Sequence, residues 1–305
     1  SLDNCAFSVD AQNISYLELN RIVRKIIVEY NGRNFKADET DNNNCKNSSD
    51  KLTITLKNVL GQRYIGDGLK GSINIKIFGT PGNDMAAFMD GPTIEVFGNV
   101  QDGTANTMNS GTIIVHGSSG DILGYSMRGG EIYVRDDAGW RCGIHMKSYM
   151  SKFPVIVIGG RAGNFLGEYM AGGIIIVLGK SISRRENLGE EKYKKNNTTK
   201  KKTENNYYFQ KFYPSIDKSI IGNFTGTGMH GGAIFVRGSV DEKLIGKEVK
   251  ILLLDKKDIE IIDNYIKNYC NYFNEDYSYI SSKKYTDFIK LAPYSIRPYG
   301  NLYAY

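Results

Sequence analysis

The sequence predicts a mainly β protein built as a parallel β-helix, a solenoid in which each coil is one short repeat, and two observations lead to this. Glycine is unusually frequent, with 34 residues in 305, and 30 of them lie within 61–179 and 222–238. Six of the eight methionines recur in one register, at Met89, Met108, Met127, Met146, Met170 and Met229. The first four are nineteen residues apart. The last two intervals are also nineteen residues long, if insertions of five residues before Met170 and forty residues before Met229 are subtracted. A repeat this short cannot hold a strand–helix–strand unit, whereas one strand per coil of a solenoid fits it.

Two glycine-rich columns keep the same register. Small residues recur at Ala86, Ala105, Gly124, Gly143, Gly167 and Gly226, and a second column reads Gly82, Gln101, Gly120, Gly139, Gly163 and Gly222. Glycine tolerates positive φ and leaves room where a Cβ would collide. We therefore interpret Gly124, Gly143, Gly167, Gly226, Gly172 and Gly231 as structural corners of the coils. A dinucleotide-binding loop would instead follow a strand and open a helix.

One strand per coil follows these glycines. A valine column runs through Val96, Val115, Val134, Val157, Val177 and Val236, and it ends in a turn at Gly98, Gly117, Asp136, Gly159, Gly179 and Gly238. Isoleucine two positions earlier, as in Ile94 and Val96, predicts that both side chains face the interior. The methionines are flexible enough to fill the remaining narrow space as a stacked ladder.

A column facing away from the interior is also apolar. It reads Glu95, Ile114, Tyr133, Ile156, Ile176 and Phe235. Water is not expected to cover such a stripe, so either the C-terminal segment or another protein covers it. Ile114, Tyr133, Ile156, Ile176 and Phe235 are therefore the candidate partner-docking residues.

Segments at both ends of the repeat are expected to be α/β. Residues 1–60 form a predicted N-terminal cap, with a capping box at Ser15 and Glu18, a helix that ends at Gly32, and a strand from Leu52 to Leu56. The β-helix is assigned to 61–240. Residues 241–305 form a predicted extension, with a strand over 249–254, a helix over 258–273 and a tyrosine-rich tail that wraps back over the solenoid or docks a partner.

The formal net charge of +6 resides in one segment. Residues 180–218 hold nine Lys and two Arg against five acidic residues, and the rest of the chain is neutral. Their composition predicts a solvated, mobile loop, and we prefer this interpretation to an RNA-binding role. We expect neither a nucleic-acid nor a membrane partner. The four scattered cysteines, Cys5, Cys45, Cys142 and Cys270, favour a reducing cytoplasm.

Catalytic patterns are missing from the sequence. His116, His145 and His230 fall in different columns and coils, and no Walker loop, nucleophile elbow or zinc-protease motif occurs. We therefore predict no catalytic, cofactor-binding or metal-binding residue in this chain.

Several long motifs resemble the GXGXG domain of the glutamate synthase large subunit, in its free-standing, split-subunit form. They are the segments Gly61–Leu69 (GQRYIGDGL), Gly82–Gly91 (GNDMAAFMDG), Gly163–Gly173 (GNFLGEYMAGG) and Arg297–Tyr305 (RPYGNLYAY). The resemblance covers nearly all residues outside 180–218, and that basic insertion departs from the compact family pattern. The chain also resembles, more distantly, the β-helical component of formylmethanofuran dehydrogenase.

The resemblance implies a right-handed parallel β-helix that is a non-catalytic scaffold. In that family an amidotransferase domain hydrolyses glutamine with an N-terminal cysteine, and a separate barrel domain carries FMN and an iron–sulfur cluster. This chain contains neither domain, and Cys5 does not stand at its start. The implied partners are therefore an amidotransferase subunit and an FMN-containing synthase subunit, which would supply the cofactors. Homo-oligomers, a subunit of another redox complex such as formylmethanofuran dehydrogenase, and a stand-alone enzyme stay open as alternatives.

Overall fold

A computed structural model of the protein describes residues 6–40, 51–179, 219–281 and 285–294. Within these ranges the strands are β1 (Ala6–Asp10), β2 (Leu52–Leu60), β3 (Ile73–Thr80), β4 (Asp90–Phe97), β5 (Ser110–Val115), β6 (Gly130–Val134), β7 (Pro154–Ile158), β8 (Ala171–Val177), β9 (Gly231–Arg237), β10 (Val249–Leu252) and β11 (Phe288–Pro293). The helices are α1 (Tyr16–Thr40), α2 (Lys256–Phe273) and α3 (Tyr277–Ser281). A 3₁₀ turn spans Glu242–Leu244.

The strands form one continuous sheet that winds as a parallel β-helix of about six turns, which confirms the predicted fold class. Each strand from β1 to β8 pairs in parallel with the next one along the chain. The register places identical residue types above one another, as in Ile75, Ile94, Ile113 and Ile132. Isolated parallel bridges join neighbouring coils at a second corner.

The interior is filled by the predicted columns. All six methionines of the repeat are buried, as are the isoleucines and valines that face them. The methionines also explain a further glycine column at the strand starts. Gly130, for example, has a positive φ, and a Cβ there would lie 2.5 Å from Cε of Met108 in the preceding coil. Glycine is therefore required where a methionine of the neighbouring coil reaches under the strand.

The five-residue insertion lies just before β7, where Tyr149 and Lys152 pair in a short antiparallel bridge. Ile132 consequently pairs with Ile156, and Val134 pairs with Ile158. The predicted register of β7 was therefore wrong by one residue. Ile156 belongs to the interior, Val157 faces outward, and Gly160 rather than Gly159 is bonded to Asp136 at the turn. A slip of one residue exchanges the two faces of a strand.

Each coil turns through three residues with positive φ at alternate positions, which we call the left-handed arch. In one coil these are Arg141, Gly143 and His145, with φ of 57°, 69° and 56°. Their N–H groups point alternately along the solenoid. Arg141 and His145 donate to carbonyls of the following coil, and Gly143 donates to Leu123 of the preceding coil. The arch therefore joins each coil to both of its neighbours.

The middle arch position is the small-residue column, and it lies against the isoleucines of the interior. A Cβ at Gly124, Gly143 or Gly167 would lie 2.6–2.7 Å from an isoleucine Cδ1. At Gly226 it would lie 2.6 Å from Cγ2 of Val249. Gly172 and Gly231 stand elsewhere, at the start of β8 and β9, with Ser148 and Ala171 of the preceding coils beside them.

Helix α1 covers the open end of the first coil. Leu19 and Val23 are buried in the core. Asn20 Nδ2 donates to the Arg63 carbonyl at 2.9 Å, and Arg24 Nη2 donates to the Asp67 carbonyl at 2.6 Å. In later coils the corresponding carbonyls accept N–H groups of the preceding arch. The two side chains therefore take the place of the N–H groups that a preceding arch would supply.

Two predictions for the N-terminal segment needed correction. The helix does not end at Gly32 but continues to Thr40, since one glycine inside a helix costs only about 1 kcal/mol. Strand β1 was not anticipated, and it pairs with β2 at the sheet edge.

At the other end, β11 pairs antiparallel with β9, and β10 pairs antiparallel with β11. Helix α2 begins with a capping box formed by Asp255 and Asp258, and it lies over the outward face of the sheet. The Gly228 N–H of the last arch donates to the Glu248 carboxylate at 3.3 Å. The basic insertion 180–218, the tyrosine-rich tail from residue 295, Cys5 and Cys45 lie outside the described residues.

Candidate partner-docking surface

The apolar stripe predicted for docking is covered by the protein itself. Tyr133, Ile176 and Phe235 pack in one buried cluster with Ile262, Ile266 and Tyr269 of α2. Ile114 is also buried, and Ile156 faces the interior. Of the two alternatives, the structure therefore shows the C-terminal segment on the stripe, and these side chains are not accessible to a partner.

Polar bonds fix α2 in this position. Tyr269 donates from its hydroxyl to the Arg135 carbonyl at 2.9 Å. Tyr133 donates to Glu131 Oε2 at 2.5 Å and accepts a hydrogen bond from Asn268 at 3.2 Å. Burial raises the pKa of both tyrosines well above its ordinary value, so the hydroxyls stay protonated.

The three histidines lie in separate places. His116 contacts Glu95 at 2.9 Å and stacks on Phe97. His145 stacks on Tyr169, whereas His230 contacts the Gly228 carbonyl. Within the described residues, no group of three or more His, Cys, Asp or Glu side chains could hold a metal ion. Cys142 is buried, and burial raises the pKa of its thiol to about 12.

An exposed aromatic surface lies instead on the left-handed arches of three consecutive coils. We call it the aromatic arch surface and define it by Trp140, Arg141, Phe165, Tyr169 and Phe224. Trp140, Tyr169 and Phe224 are 44%, 46% and 55% exposed. The Phe165 and Phe224 rings stack with centroids 5.0 Å apart, and the Arg141 guanidinium lies 4.9 Å above the Phe165 ring. The surface thus contains one stacked pair of rings with a cation beside it, and Tyr169 stacks separately on His145.

These side chains occupy costly backbone positions. Arg141, Phe165, Tyr169 and Phe224 have φ between 53° and 61°. A non-glycine residue in this region costs about 1–2 kcal/mol. Other coils have glycine at an outer arch position, as at Gly103 and Gly68. The fold therefore tolerates glycine where this surface carries large side chains.

A buried carboxylate lies beneath the surface. The side chain of Glu168 is 10% exposed, that of Arg141 is 47% exposed, and Oε2 lies 3.4 Å from the guanidinium Nη1. Oε2 accepts no hydrogen bond within the described residues. Glu168 therefore compensates the charge of Arg141 from below and leaves the outer side of the guanidinium exposed.

Sequence reasoning missed this surface. Aromatic residues inside a glycine-rich repeat are more often core residues than surface residues, and positive φ at a non-glycine residue leaves no mark in a sequence. The usable signal was the occurrence of Phe, Tyr or Arg at outer arch positions of three neighbouring coils, where the two coils before them carry Gly103, Thr107, Ile122 and Ser126.

A second feature is a groove of about 320 Å³ between the 148–152 hairpin and α2. Phe153, Phe235 and Ile261 line it together with glycines of β8 and β9. An ion pair of Lys290 and Asp258, at 2.6 Å, lies at its edge. Among the described residues, none of the helices combines the length and the apolar character needed to cross a membrane.

The fold and the site define a class of protein: a parallel β-helix whose coils turn through left-handed arches and which exposes aromatic side chains on some of them. The family model described as GXGXG motif matches residues 28–294, and the chain belongs to this family, whose domain occurs in the glutamate synthase large subunit. A curated relative is an uncharacterized protein of Methanocaldococcus jannaschii. It is 43% identical over 297 residues, which cover 97% of this chain and 95% of the relative.

Proposed function

We propose that this protein is a non-catalytic scaffold subunit of a glutamate synthase-type complex, in which it holds an amidotransferase subunit and an FMN-containing synthase subunit together. The observation that carries the proposal is the aromatic arch surface on a solenoid of the GXGXG family. A filled interior and coils that are hydrogen-bonded to their neighbours make a stiff body, and its exposed rings are suited to binding another protein.

The chemistry would be divided among the subunits. Glutamine hydrolysis needs a cysteine nucleophile, and reduction of the imino intermediate needs FMN and an iron–sulfur cluster, so these groups would belong to the partners. In this chain Cys142 is buried with a raised pKa, which keeps its thiol protonated and unreactive. The proposed complex would act in the cytoplasm.

Reconstitution tests the proposal. The full chain and the two partner subunits encoded in the same genome would be purified separately, mixed, and analysed by size-exclusion chromatography with light scattering. We expect co-elution with at least one partner, and faster glutamine-dependent glutamate formation in the presence of this chain. An unchanged rate together with separate elution of all three proteins would refute the scaffold function.

A further inference from the structure

We infer that the aromatic arch surface is the site at which the partner subunit binds, through a segment with apolar side chains and a carboxylate. This inference rests on the proposed function and assigns its docking site. It places the contact on the arch side of the solenoid, on the coils that contain residues 140–145, 164–169 and 223–228. The covered stripe beneath α2 is not involved.

The size of the exposed patch supports a protein partner. Trp140, Tyr169 and Phe224 are each about half exposed, and an aromatic side chain has roughly 150–250 Å² of surface. Together the three rings therefore leave on the order of 300 Å² of apolar surface to water. A patch of this size matches the central core of a standard interface, which buries about 800 Å² per partner. Trp, Tyr and Arg are also the residue types that dominate binding energy at such cores.

Ring stacking across two coils, and not the left-handed φ, distinguishes this surface, because Asp84, Phe88 and Ile122 have the same φ on other arches. Phe165 and Phe224 hold the same arch position in adjacent coils, and three coils before Phe165 this position is occupied by Gly103. The two rings stack on each other, and Phe224 is 55% exposed whereas Phe165 is half-buried.

The charge arrangement specifies the chemistry of the partner. Arg141 is the exposed member of its ion pair, and Glu168 lies buried below it. The Arg141 guanidinium carbon lies 4.9 Å from the centre of the Phe165 ring, and the side chain is 47% exposed. An accessible guanidinium matches the two oxygens of a carboxylate. The partner segment is therefore expected to place an Asp or Glu side chain on Arg141 and apolar side chains between the rings.

A glycine substitution separates binding from folding. Phe224→Gly removes a ring from the surface and also removes the backbone strain. Phe88→Gly is the matched control, because Phe88 has φ 57° and is 54% exposed, but lies on an arch several coils away. Dissociation constants of the full chain and each variant for the two partner subunits would be measured by titration calorimetry. Sedimentation of each protein alone would report self-association.

We expect Phe224→Gly to weaken binding at least tenfold and Phe88→Gly to change it less than twofold. Arg141→Gln should also weaken binding tenfold or more, and wild-type affinity should fall as salt is raised.

Unchanged binding by Phe224→Gly and Arg141→Gln would overturn the docking site while leaving the proposed function intact. Equal losses in Phe224→Gly and Phe88→Gly would overturn the restriction to three coils. Failure of the wild-type chain to bind either partner would overturn both proposals. A wild-type dimer that Phe224→Gly dissociates would overturn the assignment of a partner subunit and show a second copy as the occupant.

Discussion

Arg24 donates a hydrogen bond from Nη2 to the backbone carbonyl of Asp67 at 2.6 Å, so a helix side chain takes the place of a backbone N–H group. One helical turn earlier, Asn20 does the same for Arg63. The spacing of four residues on α1 matches the spacing of four residues on the arch. A helix can therefore end a β-helix without leaving its last carbonyls unpaired.

The cap predicts a measurable loss of stability. Arg24→Ala should lower the free energy of unfolding by about 0.5–1.5 kcal/mol, the usual net value of a hydrogen bond. Lys25→Ala is the control, because Lys25 is exposed and its ion pair with Glu29 is long, at 3.8 Å. Its effect should stay within about 0.5 kcal/mol. Urea denaturation would measure both, and equal effects would contradict the capping interpretation.

The middle arch position predicts coupling between a glycine and an isoleucine. Gly143→Ala should destabilise the protein by about 1–3 kcal/mol, because of its positive φ and because the new Cβ would lie 2.6 Å from Ile175 Cδ1. Ile175→Val removes that Cδ1. The double variant should therefore lose less stability than the two single variants combined, as a double-mutant cycle would show. Strict additivity would argue against the contact.

The methionine ladder can be tested with a matched pair of methionines. Met127 is fully buried, so Met127→Ala should cost about 2–5 kcal/mol. Met150 stands exposed on the hairpin of the five-residue insertion, and Met150→Ala should change stability by less than about 0.5 kcal/mol. Thermal unfolding of the two variants would compare them directly. Similar melting temperatures would contradict the assigned interior.

The Asp90 carboxylate is expected to contribute to the loss of folding stability at low pH. Its carboxylate accepts hydrogen bonds from Ser110 Oγ at 2.6 Å and from Lys152 Nζ at 3.0 Å, and these bonds lower its pKa. A carboxyl with a folded-state pKa below its unfolded value adds stability above the unfolded pKa, and that stability is lost as the pH falls through the folded pKa. Asp90→Asn should therefore lose less stability than the wild type between about pH 7 and about pH 3. Parallel pH profiles of the two proteins would refute this.

The regular repeat made the fold predictable, but the positions that depart from the repeat could not be predicted. Met127 and Gly124 belong to columns that recur in six coils, so their positions could be read without ambiguity. In β7 the alternation gave no guide, because Ile156, Val157 and Ile158 are all β-branched and the strand is buried on both faces. The location of the five-residue insertion decided their orientation, and the methionine spacing placed it only between Met146 and Met170, without showing on which side of the strand it lies.

The candidate surface was hidden for a different reason. Its exposure depends on where α2 lies, and that helix covers the apolar stripe but leaves the arches exposed. Tyr169 and Phe224 are of residue types that also occur in the core, so composition alone could not show that they face solvent. The three-dimensional arrangement of two distant segments was needed.

The pairing of β8 with β9 has a kinetic consequence. Most neighbouring strands pair across a single repeat, as Ile94 does with Ile113, but Ile175 pairs with Ile234 across the whole basic insertion. Closing the longer loop costs roughly 1 kcal/mol more in chain entropy. We therefore expect the strands from β2 to β8 to pair rapidly in order, and β9 to pair with β8 after a delay. During that delay, β8 would have an unpaired backbone edge and exposed isoleucines. It would therefore be the region most prone to aggregation in a newly made chain.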